Sequence, residues 1–352
     1  MEIFESDNLE SLYINMIQSL FEKGDEVEKL DKKIKEDGGK FIKELYSCVI
    51  KIYNPLEGIL QINGRPYNPA FAVAETLWNI TGDTENWLIN YNKLYKYYFE
   101  GKAKLRSGYG NRIFHWDSKT DQFELVINRF KEEPTTQHAD IIIFDPRYDL
   151  SDPHFVPCIT KIKFRIRNNK LHMSTFMRAQ DVWRGFPYDI NLLLTIFQLI
   201  LNELKKNKEF FNLELGSYYH YCDVLRLYKR DYQAANNLIQ INNNQHFYFK
   251  NSVSKHINLY NECDFEKLNE YKNIIKKIST FSSLELSENK DEILSKIKQY
   301  PDYWKDSIRV CLAYCLINKQ RLEDATEVVK LITNAYKEQI IEWCKFYKNI
   351  EL

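Results

Sequence analysis

The sequence predicts an α+β fold, and three observations predict it. Residues 11–22 carry apolar side chains three and four positions apart, which is typical of an amphipathic helix. Residues 160–166 alternate apolar and polar side chains, as a half-buried strand does. Beyond residue 263 the pattern is helical only. We therefore expect a mixed sheet with flanking helices, followed by an all-α C-terminal extension.

Apolar spacing and glycine stops predict the helices of the first part of the chain. The helix over 11–22 should end near Gly24, and a second helix over 71–80 should end near Gly82. A tyrosine-rich pattern predicts a third helix over 85–100. Its aromatic residues are assigned to the core and to an interface, because no basic stripe accompanies them.

The middle of the chain contains the predicted strands. Residues 139–144 are a compact, largely β-branched run that Asp-Pro closes. The strand over 160–166 should pair with 170–177 in a hairpin that turns at Asn168 and Asn169. The apolar stretch from residue 190 is long enough for a buried helix.

Composition divides the chain into three parts. Asn and Gln dominate residues 234–245, which is typical of a linker or surface loop. Helical patterns follow over 264–278, 291–299, 303–317 and 321–350. We expect a first domain over 1–235, a linker over 236–262 and a helical extension over 263–352.

Overall composition limits the classes of function. With 352 residues and 44% apolar side chains, the chain can bury a large core. Its 49 basic and 49 acidic residues cancel, so no overall field attracts it to nucleic acid or to an anionic membrane. The apolar stretch 190–204 is too short and too polar to span a bilayer. Seven cysteines without a disulfide rhythm favour reduced thiols in the cytoplasm.

A cysteine and an arginine are the strongest chemical signal. Cys158 follows Pro157 just before the first strand of the predicted hairpin, and Arg178 follows the second strand. A single cysteine is more often buried and inert. A neighbouring guanidinium lowers the pKa of a thiol and so favours a nucleophilic thiolate. The polar run over 177–189 is costly at a strand-to-helix junction unless its groups are paired or functional, although a surface loop with a salt bridge is an alternative.

Together these motifs resemble the thymidylate synthases and their pyrimidine-nucleotide hydroxymethylase relatives. The matching segments are residues 68–78 with Gly82, 108–110, 157–158, 178–189, 215–220 and 227–228. The motifs keep the order and the spacing of that family. In it, the tyrosine between Gly108 and Gly110 belongs to the active site.

The resemblance implies a covalent mechanism. The thiolate of Cys158 would add to C6 of a pyrimidine nucleotide, and C5 would then accept a one-carbon unit from 5,10-methylenetetrahydrofolate. Glu75 and Tyr109 would order the waters that move protons at the base. Arg178 would contact both the thiolate and the nucleotide phosphate. The resemblance also implies a homodimer that packs sheet against sheet.

The remaining binding residues follow from the same resemblance. The folate would lie beside Asp181, which binds the pterin ring, with Glu75 and Trp78. The nucleotide would lie beside Arg178, Gln180, Asp189, Arg226 and Tyr228. Tyr228 would meet a sugar hydroxyl, and Arg226 stands where the family has a sugar-binding histidine, which leaves the choice between ribose and deoxyribose open.

Asp189 departs from the asparagine of the thymidylate synthases. That amide accepts from N3–H of uracil and donates to O4, whereas an ionised carboxylate would face O4 as acceptor against acceptor. Cytosine offers an amino donor instead, and a mispaired buried polar group costs about 1–3 kcal/mol. We therefore expect cytosine to be favoured, as in the family's cytidylate hydroxymethylases. Two alternatives are a protonated Asp189 that donates to O4 of uracil, and an Asp189 that only caps the helix from residue 190.

The phosphate site and the C-terminus also depart from the family. Arg178 is the phosphate ligand that is clearly retained, because the other aligned positions are Gly38, Gln137, His138 and Ala179. Candidate replacements are Lys35, Lys40, Arg65 and His138. The family's closing C-terminal peptide has no match in 349–352, and poor closure would let water give a hydroxymethyl product.

Three further expectations concern alternative functions and metal binding. A thymidylate synthase acting on dUMP is one alternative function. A non-catalytic homologue, whose C-terminal helices bind a protein partner, is another. No metal site is expected, because His220, Cys222, Cys311 and Cys315 lack the paired spacing of a structural zinc site.

Overall fold

A computed structural model describes residues 1–28, 41–56, 58–99, 105, 108–151, 156–243, 267–333 and 335–352. The chain forms two compact units, and each is made of two separate segments. The first unit comprises Met1–Arg65 and Gln122–Val253, and the second comprises Pro66–Asp121 and Ser254–Leu352. The predicted α+β class is confirmed, with a mixed sheet in the first unit and helices in the second.

The first unit is built on a sheet of eight strands within the described residues. They are β1 (Glu2–Ser6), β2 (Asp25–Glu28), β3 (Phe41–Ile52), β4 (Asp140–Ile142), β5 (Ile159–Arg167), β6 (Lys170–Met177), β7 (Gln180–Asp181) and β8 (Glu214–Tyr228). The main order is β1-β3-β8-β6-β5-β4, while β2 pairs with β3 and β7 pairs with β8. Parallel pairs (β1–β3, β6–β8, β7–β8) and antiparallel pairs make the sheet mixed.

The predicted hairpin is confirmed as β5 and β6. Asn168 and Asn169 adopt φ values of 52° and 56°, the left-handed conformation that a two-residue hairpin turn requires and that asparagine tolerates. Because β6 runs next to β8, the end of this hairpin lies beside the strand that carries Arg226 and Tyr228. The β-branched run over 139–144 contributes the three-residue strand β4.

The helices of the first unit cover the sheet. They are α1 (Leu9–Lys23), α5 (Gln122–Glu132), α6 (Pro146–Asp149), α7 (Phe186–Lys205) and α8 (Tyr232–Asn243). Asn8 caps α1 by accepting a hydrogen bond of 2.7 Å from the Ser11 amide, and α1 ends at Gly24 as predicted. The buried helix expected from residue 190 begins at Phe186, with Pro187 in its first turn.

The second unit is formed by helices from both of its segments. They are α2 (Pro69–Ile80), α3 (Tyr95–Phe99), α4 (Tyr109–Phe114), α9 (Leu268–Thr280), α10 (Ser283–Lys296), α11 (Asp302–Asn318), α12 (Leu322–Lys330) and α13 (Tyr336–Lys348). Every residue of α2 except Glu75 is buried, which is typical of a helix inside a core. Helices α9, α11 and α13 pack on α2.

Specific contacts join the two segments of the second unit. The phenol of Tyr314 donates a hydrogen bond of 2.9 Å to the carbonyl of Tyr91, and the two rings stack 5.5 Å apart. The phenol of Tyr91 donates a hydrogen bond of 2.9 Å to the carbonyl of Ile275. The C-terminal helices therefore group with residues 66–121, and not along the boundaries expected from composition. The expected linker is wrong over 236–243, which belong to α8, and its remainder over 244–262 lies outside the described residues.

The single helix expected over 85–100 is wrong. A 3₁₀ turn over Asn86–Asn90 and the short helix α3 replace it. The side chain of Asn92 accepts a hydrogen bond of 3.1 Å from the Leu94 amide, and such local bonds compete with a continuous helix. The helical pattern over 321–350 forms two helices, α12 and α13. Among the described helices, none is both long and apolar enough to cross a membrane.

Candidate active site

Cys158 lies at the start of β5, where the end of β6 brings Arg178 beside it. The Arg178 amide donates a hydrogen bond of 3.0 Å to the Cys158 carbonyl. The guanidinium of Arg178 donates to two further carbonyls, from Nε to Pro157 at 3.1 Å and from Nη2 to Val156 at 2.9 Å. Arg178 is exposed, whereas Cys158 is exposed only in part as a residue and its thiol is largely buried.

Burial raises the pKa of the Cys158 thiol, because the interior solvates a thiolate poorly. The positive charges of Arg178 and Arg226 oppose this shift, while the carboxyl groups of Asp189 and Asp181 add to it. The expectation that Arg178 leaves Cys158 with a lowered pKa is therefore wrong for the protein alone. The two cations only limit the rise.

Asp181 is fixed at the junction between β7 and α7. Its Oδ1 accepts hydrogen bonds of 2.9 Å from the amides of both Trp183 and Arg184. It faces Arg226 across the parallel pairing of β7 with β8. Burial raises its pKa, and the Arg184 amide and Arg226 counteract that rise. Among the described residues, Oδ2 of Asp181 accepts no hydrogen bond and can meet the donors of a ligand.

Asp189 lies in the first turn of α7 and is bonded to a buried glutamine. Nε2 of Gln180 donates a hydrogen bond of 2.9 Å to Oδ2 of Asp189. Burial raises the pKa of Asp189 to about 6, although the bond from Gln180 lowers it. The alternative that Asp189 caps a helix beginning at residue 190 is wrong, because α7 begins at Phe186 and Gly185 is the cap residue.

Arg226 and Tyr228 extend the same site along β8. The guanidinium carbon of Arg226 lies 5.3 Å from the centre of the Tyr228 ring, and that of Arg230 lies 4.8 Å from it. Nε of Arg226 is buried without a hydrogen-bond partner in the described part of the chain. Burial raises the pKa of Tyr228, and Arg226 opposes the rise. A cation with an unused donor beside a phenol is suited to an anionic or hydroxyl-bearing ligand.

The second unit holds the other predicted site residues. Glu75 is the partly exposed residue of α2, and the phenol of Tyr95 donates a hydrogen bond to its Oε1. Burial, followed by the charge of Glu75, raises the pKa of Tyr95 well above its usual value. Trp78 is only 1% exposed, and its indole N–H donates to the Glu85 carbonyl at 2.9 Å. Its expected contact with a cofactor stays a prediction.

Two close approaches explain the glycines on either side of Tyr109. A Cβ atom on Gly110 would lie 1.8 Å from the carbonyl oxygen of Asn79, whose side chain accepts a hydrogen bond of 3.0 Å from the Gly110 amide. A Cβ atom on Gly108 would lie 2.4 Å from the ring of Trp78. Tyr109 is therefore held against α2 as the first residue of α4.

The candidate replacements for the phosphate ligands lie in different environments. Arg65 is 4% exposed and donates from Nε to the phenol of Tyr13 at 3.1 Å and from Nη2 to the carbonyl of Trp183, so it is a core residue and not a phosphate ligand. His138 is exposed just before β4, next to Gln137. Gly38, Lys35 and Lys40 lie outside the described residues.

The other candidate ligands are buried. His220 is 0% exposed, with Nδ1 2.8 Å from the phenol of Tyr218. Cys311 and Cys315 are buried in α11. No group of three or more metal-ligating side chains occurs among the residues that the structure describes.

The structure brings seven of the predicted site residues together in the first unit. They are Cys158, Arg178, Gln180, Asp181, Asp189, Arg226 and Tyr228. Glu75 and Tyr109 belong to the second unit, where both interact electrostatically with Tyr95. Sequence analysis missed Tyr95, which it assigned to core and interface. Its position near an acidic helix residue has no signature in the sequence alone.

The comparisons with known proteins agree on one family. A family model described as thymidylate synthase matches residues 11–281. The deoxyuridylate hydroxymethyltransferase of Bacillus phage SP01 is 28% identical over 247 residues, which cover 66% of this chain and 61% of that enzyme. The chain thus spans about three fifths of the phage enzyme's length.

Cellular relatives are similar over shorter regions. A Methanosarcina mazei protein with a provisional thymidylate synthase name is 27% identical over 171 residues, covering 49% of this chain and 70% of that protein. The thymidylate synthase of Wigglesworthia glossinidia brevipalpis is 24% identical over 137 residues, covering 37% of this chain and 52% of that enzyme.

Proposed function

The chain belongs to the thymidylate synthase family, and we propose that it transfers a one-carbon unit to C5 of a pyrimidine nucleotide through a covalent adduct with Cys158. The observation that carries the proposal is the placement of Cys158 beside the guanidinium of Arg178 and within the electrostatic reach of Arg226. A protein that only bound a partner would have no use for a thiol that interacts electrostatically with two cations, which argues against the non-catalytic alternative.

The proposed chemistry assigns a step to each group of this chain. The sulfur of Cys158 attacks C6, and the electrons of the C5–C6 double bond make C5 a nucleophile. After C5 has formed its new carbon bond and lost its proton, the sulfur–C6 bond breaks and returns the thiolate. Arg178 stabilises the thiolate and attracts the phosphate of the nucleotide. Glu75, held by Tyr95 and accompanied by Tyr109, moves protons at the base.

The carbon donor that we propose is 5,10-methylenetetrahydrofolate, which would supply the carbon as a methylene group: both bonds from that carbon to the folate nitrogens would break, water would add the hydroxyl of a hydroxymethyl product, and tetrahydrofolate would leave. Asp181 fits a pterin, because its Oδ1 is fixed by two amides while its Oδ2 accepts no hydrogen bond among the described residues. Trp78 fits less well, because the surrounding residues cover its ring. Residues near Glu75 that are more exposed would have to supply the stacking surface.

The base that we propose is cytosine, because an ionised Asp189 accepts from an amino group and repels O4 of uracil. Uracil is the second candidate, and two observations favour it. The phage relative is named for deoxyuridylate, and the pKa of Asp189 is raised to about 6, which brings a protonated, donating form within reach. The phage relative's name also favours a hydroxymethyl product.

The proposed assembly is a cytoplasmic homodimer that packs the outer face of the sheet against a second copy. That face carries the partly exposed rings of Phe176 and Tyr221, which stack 4.9 Å apart, and Tyr219 beneath Arg165. Such aromatic surfaces are enriched at interfaces between proteins. A protein partner for the C-terminal helices stays a prediction.

Exchange of the C5 hydrogen in heavy water tests the proposed function. Addition of sulfur at C6 labilises this hydrogen, so mass spectrometry of dUMP, dCMP, UMP and CMP after incubation with the enzyme reports the nucleophile without requiring the carbon donor. We expect exchange that Cys158→Ala abolishes. The matched control is Cys344→Ala in α13, which should exchange like the wild type. Absence of exchange with every nucleotide, with and without methylenetetrahydrofolate, would overturn the proposal.

A further inference from the structure

The amide of Gln180 is held in one orientation inside the first unit. Gln180 is 1% exposed. Its Nε2 lies between two oxygen atoms, 2.9 Å from Oδ2 of Asp189 and 3.2 Å from the carbonyl oxygen of Asp181. Both oxygens are acceptors, so rotating the amide would place its own oxygen against two acceptors. The amide nitrogen therefore points to Asp189 in the ionised state.

The backbone around Gly185 is built to allow this contact. A Cβ atom on Gly185 would lie 2.9 Å from Nε2 of Gln180 and 3.2 Å from Oδ2 of Asp189. The Gly185 amide donates to the Asp181 carbonyl at 3.1 Å, and the Asp189 amide donates to the Gly185 carbonyl at 3.0 Å. These bonds fold β7 back onto the first turn of α7. The fold thus places a buried donor on the carboxyl that is proposed to face the base.

The groups around Asp189 come from several elements. Asp181 on β7 raises its pKa, and Asp189 in turn raises the pKa values of Cys158, before β5, and of Tyr218 on β8. Burial is the largest influence on Asp189 and favours the protonated carboxyl. The hydrogen bond from Gln180 acts in the opposite direction and favours the carboxylate.

We propose that Gln180 is a positioning residue for base selection: by donating to Oδ2 of Asp189 it keeps this carboxyl ionised and fixed, and so sets the pH range in which the enzyme distinguishes a 4-amino from a 4-oxo pyrimidine. The inference rests on the proposed function, and it assigns to Gln180 a role through Asp189 in place of direct contact with the nucleotide. Selection between the two bases then depends on a pair of residues, Gln180 from β7 and Asp189 from α7.

The chemistry of the pair fixes the direction of the effect. A protonated carboxyl has one donor and one acceptor and can serve either base. A carboxylate has acceptors only, so it can bind the 4-amino group of cytosine but repels O4 of uracil. Preference for cytosine over uracil should therefore increase as pH rises through the pKa of Asp189. Loss of the Gln180 donor should move this increase to higher pH.

The test is the ratio of C5 hydrogen exchange rates for cytosine and uracil nucleotides from pH 5 to pH 9. Titration of Cys158 affects both rates and cancels in the ratio. We expect the wild-type ratio to increase about tenfold or more across this range, since a mispaired polar group discriminates by that amount. Asp189→Asn should abolish the increase, and it controls for titration of the nucleotides themselves.

Two variants remove the donor in different ways. Gln180→Met keeps the length of the side chain without its amide, while Gln180→Asn keeps an amide that is too short to reach Asp189. Both should move the midpoint upward by about one pH unit, which is the usual value of a hydrogen bond to a charged group. The matched control is Gln198→Met, a buried glutamine on the same helix as Asp189 whose amide contacts the Leu56 carbonyl.

The outcomes separate the inference from the proposed function. The inference alone is overturned if exchange occurs but the wild-type ratio does not vary with pH. It is also overturned if the folded Gln180 variants show the same midpoint as the wild type. No exchange with any nucleotide overturns the proposed function and base selection with it. Titration of the ¹³C-labelled aspartate carboxyls by NMR supplies a readout without nucleotide. The resonance that disappears in Asp189→Asn should titrate at higher pH in Gln180→Met, and an unchanged midpoint there also contradicts the inference.

Discussion

The guanidinium of Arg65 lies flat on the indole of Trp183, with its central carbon 4.2 Å from the ring centre. The same guanidinium donates to the phenol of Tyr13 and to the Trp183 carbonyl. Arg65 thereby connects α1 with the segment between Asp181 and α7. An arginine that was a candidate for phosphate binding is committed to holding the loop that presents Asp181 and Asp189.

Substitution of Arg65 should therefore mainly affect stability, whereas substitution of Arg178 should mainly affect nucleotide binding. Arg65→Met removes a buried stack and its hydrogen bonds and should lower the free energy of unfolding by about 2–4 kcal/mol. Arg178→Met should leave stability nearly unchanged, because the side chain is exposed, and should raise nucleotide KM at least tenfold. Denaturant unfolding and steady-state kinetics measure both. A raised KM in a stable Arg65→Met enzyme would contradict this assignment.

The raised pKa of Cys158 predicts a pH dependence for its reactivity. Since the thiolate is the nucleophile, its alkylation by iodoacetamide should accelerate as pH rises from 7 to 9. Arg178→Met and Arg226→Met each remove a charge that lowers the pKa, so they should slow alkylation at a given pH. Mass spectrometry of the peptide that contains Cys158 gives the rates. Arg129 is an exposed arginine on α5 that pairs with Glu132, so in the control variant Arg129→Met the thiol of Cys158 should be alkylated at the wild-type rate.

Asp189 should reduce stability at neutral pH. Its pKa of about 6 in the folded protein exceeds the usual value near 4 in an unfolded chain, so folding favours the protonated form. The contribution of Asp189 to stability is present below pH 4 and is lost as pH rises through 6. Relative to the wild type, Asp189→Asn should gain about 2 kcal/mol between pH 4 and pH 8. Denaturant unfolding at the two pH values checks this, and an equal difference at both would count against it.

The hydrogen bond from Tyr95 to Glu75 should matter for turnover. Tyr95→Phe removes the donor that orients the carboxylate and should reduce the rate of product formation about tenfold while leaving the fold intact. Tyr347→Phe, an exposed tyrosine on α13, is the matched control and should keep the wild-type rate. Single-turnover kinetics with saturating nucleotide make the comparison. A Tyr95→Phe enzyme with full activity would show that Glu75 is oriented by other groups.

Gly110 should be intolerant of any side chain. Gly110→Ala forces a methyl group into the backbone of α2, and we expect a loss of about 3 kcal/mol or more in the free energy of unfolding. Gly58→Ala is the control, because its Cβ atom would lie 3.3 Å from Asn191 and needs only a small adjustment. Thermal unfolding distinguishes the two variants. Equal melting temperatures would mean that α4 can move away from α2 at little cost.

Local signals explain which parts of the fold could be predicted. The hairpin has two asparagines at its turn and alternating flanks, and α7 has a long, mostly apolar run. Strand β3 has a weaker signal, because Ser47 adopts a φ of 55° and interrupts the alternation. Its buried residues are Ile42, Leu45, Cys48, Ile50 and Ile52, so the first three are spaced by three, as in a helix, and only the last three alternate.

The site residues likewise divide into those that the sequence could identify and those that it could not. Cys158 and Arg178 could be chosen from their places at the two ends of the predicted hairpin, and Asp181 and Asp189 from the resemblance to the family. The bond between Gln180 and Asp189 could not, since it depends on how β7 folds back through Gly185. The sign of the shift in the pKa of Cys158 was also inaccessible, because it depends on burial, which sequence spacing does not report.

The packing of α2 has a consequence for synthesis of the protein. This apolar helix, which carries Glu75, is completed at residue 80, but its partners α9, α11 and α13 begin only at residue 268. At ribosomal rates of about 5–20 residues per second, α2 waits roughly 10–40 s for them. Throughout that interval its apolar surface is a target for chaperones. Glu75 is thus set in its final surroundings last, when the C-terminal helices have emerged.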